Sequence, residues 1–129
     1  MVSGVWSETE PSVDIASADD LERFIDHAGS VCQRPTAISV EAHKYRADLL
    51  VGHDQSFVHL TPDDPDRQPY HVTVGELDAG TVEFWLHSWH HTCFDARHLV
   101  PKQLAREAFR EFIQSGTLSS AVSWEQYSA

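Results

Sequence analysis

"ADLLVGHDQSFVHLT" (Ala47–Thr61) holds two apolar runs separated by a short polar step. Leu49 and Val51 fall on one side of an extended chain, and Val58 and Leu60 do the same in the next run. Such alternation is the mark of a half-buried strand. The intervening "GHDQ" (52–55) is short enough for a hairpin turn, so the two strands are expected side by side and antiparallel.

The same pattern extends outward. "TAISVEA" (36–42) places Ile38 and Val40 together, while "YHVTV" (70–74) and "TVEFWLHSW" (81–89) read as two more strands linked by "GELDAG". Val13 and Ile15 alternate in "SVDIAS", "GVWSE" (4–8) is a further strand, and "SAVSWEQ" (120–126) closes the chain with Val122 and Trp124 on one face. "TPDDPDRQP" (61–69) is a loop, because its three prolines exclude a central strand and Asp63, Asp64 and Asp66 favour turns.

Two stretches switch to helical spacing. In "SADDLERFIDHAG" (17–29), Leu21, Phe24, Ile25 and Ala28 share a face. Ser17 suits the N-cap, Asp20 stands where a capping box usually has Glu, and Gly29 suits the position past the end. In "VPKQLAREAFREFIQSG" (100–116), Pro101 lies near the first position and Gly116 beyond the last. Leu104, Ala105, Ala108, Phe109 and Phe112 form the apolar arc, with Arg106, Glu107, Arg110 and Glu111 expected to face out. The expected fold is α+β: a largely antiparallel sheet of about six to seven strands, with two helices packed on one face. Nothing divides the chain, so residues 1–129 are expected to form one domain.

Twenty acids against nine bases give a net charge of −11. That imbalance opposes direct contact with nucleic acid or anionic membrane and favours a basic partner. Cys32 and Cys93 are too few for a disulfide framework and are expected to be reduced thiols. The N-terminal stretch lacks a basic start and an apolar run, and no apolar segment reaches the ~20 residues of a membrane span, so a cytoplasmic location is expected.

"WLHSWHHTCFDARHLVP" (85–101) gathers His87, His90, His91, His98 and Cys93. Zinc needs such ligands to converge on a tetrahedron. The familiar spacings, HExxH and paired CxxC, are absent, so no metal and no cofactor is expected, and folding should not need one. The alternative is a small enzyme or metal-binding protein with a His-rich pocket at residues 87–93, built on His87, His90, His91 and Cys93. GxSxG, GxGxxG and P-loop stretches are absent, so no catalytic set is assigned.

"HHTCFDARHLVPKQLAREAFREFIQSGTLSSAVSW" (90–124) resembles actinobacterial members of the first immunity-protein family of polymorphic toxin systems. The resemblance rests on His91-Thr92, Val100-Pro101, Ala105, Ala108, Phe112, Ser115-Gly116 and Val122-Ser123-Trp124. Here Cys93-Phe94-Asp95 stands where the family tends to carry Glu-Phe-Pro, and "TLSSAV" lacks the usual proline before the last strand. The resemblance implies a small α+β protein that binds and neutralises a cognate toxin, often a deaminase or nuclease. Such a toxin presents a basic groove for phosphates, which an acidic protein can occlude without catalysis. The residues expected to meet it are Asp63, Asp64 and Asp66, with Tyr70 as an anchor and Glu76 and Asp78 nearby.

Overall fold

The computed structural model describes residues 2–5, 12–32, 34–86 and 90–128, with only the backbone described for Val2, Ser3, Leu86 and His90. In chain order the elements are β1 (Val2–Val5), β2 (Val13–Ile15), α1 (Ala18–Val31), β3 (Thr36–Ala42), β4 (Tyr45–Val51), β5 (Gln55–Ser56) and β6 (Val58–Pro62). They continue with β7 (Tyr70–Val74), β8 (Thr81–Leu86), β9 (His90–Asp95), a 3-10 turn (Ala96–His98), β10 (Val100–Pro101), α2 (Lys102–Ser115) and β11 (Ser123–Tyr127). The expected strand at residues 4–8 is described only through Val5; Trp6, Ser7 and Glu8 lie outside the described residues.

Seven strands form one antiparallel sheet in the order β11-β7-β6-β4-β3-β1-β2. The β4–β6 hairpin forms as its alternation requires, with Leu49 opposite Val58. Ile38, Val40, Ala47, Leu49, Val58 and Leu60 point to one face and meet Leu21, Phe24, Ile25 and Ala28 of α1 and Ala105, Ala108, Phe109 and Phe112 of α2. Both helices therefore share one face of the sheet, and the fold is α+β.

Capping sets the helix limits. Ser17 Oγ accepts from the Asp20 N–H at 3.1 Å, and Asp20 Oδ2 accepts from the Ala16 N–H at 3.0 Å. That is a reciprocal capping arrangement with Asp in the place of Glu. The Ala16 N–H and the neighbouring Arg23 hold the Asp20 carboxyl below its usual range. Gly29 does not end α1: the helix runs to Val31 with Cys32 as its C-cap. Gly116 does end α2, at φ 74°, and its N–H reaches the Phe112 carbonyl at 2.8 Å.

The two strands linked by residues 75–80, β7 and β8, do not pair with each other. β7 pairs with β6 and β11, while β8 leaves the sheet and pairs with β9, Thr81 opposite Asp95 and Leu86 opposite His90. This separate hairpin covers part of the face opposite the helices, where Phe84 and Phe94 pack with Ala37, Leu50, Phe57 and Val72. Two bonds fasten it to the start of β3: Trp85 N–H to the Pro35 carbonyl at 2.6 Å, and Thr36 Oγ1 to the Trp85 carbonyl at 2.7 Å.

Arg106 and Arg110 do not form a solvated row. Arg106 bonds Glu22 and, at 2.8 Å, Asp26; Arg110 reaches Glu22 at 3.2 Å. The basic edge of α2 is thus matched by the acidic edge of α1. The β3–β4 turn puts His43 and Lys44 at φ 53° and 67°, a left-handed pair that favours Asn or Gly. The His43 ring is anchored there by an edge contact with Phe112 at 5.7 Å and by Nε2, 3.0 Å from the Ile113 carbonyl. Among the described residues no helix is long and apolar enough to cross a membrane.

Candidate functional site

The face opposite the helices is only partly covered, and its open part is polar and aromatic. Register places His59 opposite Val72, Glu125 opposite Val72 on the other side, and Tyr127 opposite Tyr70. Tyr70 and Tyr127 stack at 4.9 Å with rings 14° from parallel, and Tyr127 is 39% exposed. Since β11 is an edge strand, this tyrosine pair stands at the rim of the sheet.

Beside it lies the aspartate loop. Asp64 shapes the turn: its carbonyl accepts from the Arg67 and Gln68 N–H groups, and its carboxylate accepts from the Asp66 N–H at 3.3 Å. The Asp63 N–H bonds the Lys44 carbonyl at 2.9 Å, which extends the β4–β6 ladder by one step. Asp63, Asp64 and Asp66 are all exposed, and Arg67 pairs with Asp64 at 3.5 Å. The loop also lies beside Lys44, which its position in the chain does not reveal.

Glu76 and Asp78 are exposed but lie elsewhere. They follow the other end of β7, so the whole strand, roughly 14 Å at 3.4 Å per residue, separates them from Tyr70 and its loop. The acids foreseen as neighbours therefore form two groups, and only Asp63, Asp64 and Asp66 share an end of the sheet with Tyr70.

His59 links the tyrosines to the sheet. Its Nε2 lies 2.5 Å from the Tyr127 hydroxyl and its Nδ1 3.3 Å from Thr61 Oγ1. A neutral imidazole can accept one of these bonds and donate the other. Burial, with the charges of Arg46 and His98, pushes the His59 pKa down to about 4 from 6.5. Between those values the unfolded chain takes up a proton that the folded one refuses. His59 therefore contributes stability above about pH 6.5 that is lost as pH falls toward 4, on the order of 1–2 kcal/mol after allowance for partial exposure. Chemical denaturation at stepped pH is expected to show this loss in the wild type and a flatter profile in His59→Gln. His71, whose pKa burial also lowers, keeps part of the slope in both.

Several other charged groups on this face are paired. Arg97 clasps Glu125, one bond at 2.8 Å, and so braces β11 against the 3-10 turn. Arg97 holds the Glu125 carboxyl below its usual range. Asp48, buried, bonds Ser39 at 2.5 Å and Arg46 at 3.3 Å. His98 packs near Phe57, and its Nδ1 lies 3.1 Å from the Thr73 carbonyl.

The histidine stretch divides. His87 lies outside the described residues, and His90 is described only as the first residue of β9. His91 and Cys93 are exposed on β9, where His91 lies 3.1 Å from Glu83 and 5.1 Å from the Trp85 ring. Both cysteines are free thiols, Cys32 half-buried and Cys93 exposed. A groove of about 610 Å³ opens between α1, the start of α2 and the loop after β4, lined by Asp26, Ser30, His53, Asp54, Lys102 and Arg106. Its Arg106 is already committed to Glu22 and Asp26.

Tyr127, His59 and Glu83 are absent from the residues singled out by sequence. Alternation does place Tyr127 on the face opposite Trp124, but its partner Tyr70 is remote in the chain, and only the sheet order joins them. A family model described as immunity protein Imm1 matches residues 9–126 of the chain. No curated protein matches it.

Proposed function

Because the chain belongs to the Imm1 immunity protein family, whose members bind a cognate toxin, we infer that it neutralises a nucleic-acid-acting toxin, a deaminase or nuclease, by filling its basic groove. It does so in the cytoplasm, as one domain, without chemistry of its own. The observation that carries this reading is the stacked Tyr70–Tyr127 pair at an open sheet edge, beside three exposed aspartates of which only Asp64 has an ion-pair partner among the described residues. Aromatic side chains supply affinity at interface centres, and uncompensated charge supplies association rate and partner choice. Glu76 and Asp78, at the other end of β7, belong to this surface only if the toxin spans the strand.

Reversing Asp63, Asp64 and Asp66 together to lysine is expected to slow association with the toxin domain about tenfold at low salt and to weaken its salt dependence. Tyr127→Ala is expected to leave the association rate nearly intact and to speed dissociation. Surface plasmon resonance at two salt concentrations separates the two effects. Unchanged kinetics in both variants, with circular dichroism showing both folded, would place the toxin on another surface.

A further inference from the structure

The β8–β9 hairpin assembles a group of side chains that no single strand contains. Its register sets Glu83 opposite Cys93 and Trp85 opposite His91. Alternate residues of paired strands share a face, so Glu83, Trp85, His91 and Cys93 all lie on one side of this ribbon. One ligand atom from each of Glu83, His91 and Cys93 lies within 4.8 Å of the others, and the His91 Nε2–Glu83 Oε1 distance is 3.1 Å. A tetrahedral zinc with 2.0–2.3 Å bonds holds its ligand atoms roughly 3.3–3.8 Å apart. Small rotations of three exposed side chains bridge that difference.

We propose that Glu83, His91 and Cys93 form a site for a zinc-class divalent cation on the outer face of this hairpin. A carboxylate, an imidazole and a thiolate are together the donor set of a borderline-soft ion and suit magnesium or calcium poorly. Among the described residues three protein ligands converge, which leaves the fourth position to water, the arrangement of an open site and not of a closed structural one. The Trp85 ring, 5.1 Å from the imidazole of its cross-strand partner, limits the swing of His91. The usual search for spacing along one strand misses this site, because the carboxylate comes from the neighbouring strand. Since the ligands are exposed and Phe84 and Phe94 hold the hairpin from beneath, the fold does not depend on the ion.

The test is titration of the chelator-treated full chain with cobalt(II), followed by its thiolate-to-metal charge-transfer band and visible ligand-field bands, with zinc competition. One equivalent is expected to bind with a thiolate band, and zinc is expected to displace it. Cys93→Ser is expected to abolish the band, while Glu83→Gln and His91→Ala weaken binding about tenfold or more. Cys32→Ser and a double His87→Ala, His90→Ala variant are expected to bind as the wild type does. Absence of saturable binding, survival of the band in Cys93→Ser, or loss of binding in the double histidine variant would each overturn the assignment.

Discussion

Phe112→Ala is expected to lower folding stability by about 3–5 kcal/mol, the range for truncating a buried aromatic side chain. Phe112 is 3% exposed and lies where three elements meet. Its ring makes edge contacts with Tyr45 of β4 at 5.8 Å and with His43 of the β3–β4 turn at 5.7 Å. Alanine leaves a cavity between α2 and the sheet and also removes one of the two contacts that anchor His43 in its left-handed turn. Trp124, which its strand alternation marks as an equal core residue, is only half-buried, and its indole N–H bonds the Ser119 carbonyl at 3.0 Å. Trp124→Ala is expected to cost less, about 1–3 kcal/mol. Urea denaturation of both variants checks the order; equal losses would mean that the edge strand is as tightly held as the centre.

Gly75→Ala is expected to cost about 3 kcal/mol, the upper end of what forced overpacking does. Gly75 directly follows β7, where the chain passes closely over the segment after the 3-10 turn. A β-carbon there would sit 1.7 Å from the Leu99 carbonyl oxygen, and the Gly75 N–H already bonds the Arg97 carbonyl at 2.7 Å. The obstacle is backbone, which has no rotamer by which to yield. Relief requires β7 to separate from residues 97–99, which would loosen the Thr73 hydroxyl from the His98 carbonyl, now 3.0 Å away. Hydrogen exchange in Gly75→Ala is expected to show β7 and the 3-10 turn losing protection together. A variant as stable as wild type would show that these two segments are not held so closely in solution.

Local periodicity carried the helices and most strands. Leu21, Phe24, Ile25 and Ala28 repeat at helical spacing, and nothing in the tertiary structure contradicts that face. What failed was choice of partner. Alternation identifies β7 and β8 as strands, but it does not say that β8 turns away to pair with β9 on another layer. The same limit applies to Arg106 and Arg110: the neighbours visible in sequence are Glu107 and Glu111, whereas the ones they bind, Glu22 and Asp26, lie on α1. In the candidate site, Asp63, Asp64 and Asp66 were legible because proline and aspartate announce turns. The tyrosine stack and the Glu83–His91–Cys93 group were not, since each depends on register between strands.

The ion-pair seam between the helices also shapes the molecule's electric field. α1 and α2 together hold six acids and four bases, close to balance. The described residues outside them hold twelve acids and five bases, mostly on the sheet and its loops. The molecule is thus an electric dipole as well as an anion, with a nearly neutral back and a negative front. A cationic body drifting toward it experiences a torque before any contact is made, so the two meet with the sheet side leading. By the same reasoning a charge change on the helical layer, such as Glu107→Lys, alters the total charge as much as one on the loops but enlarges the dipole rather than shrinking it.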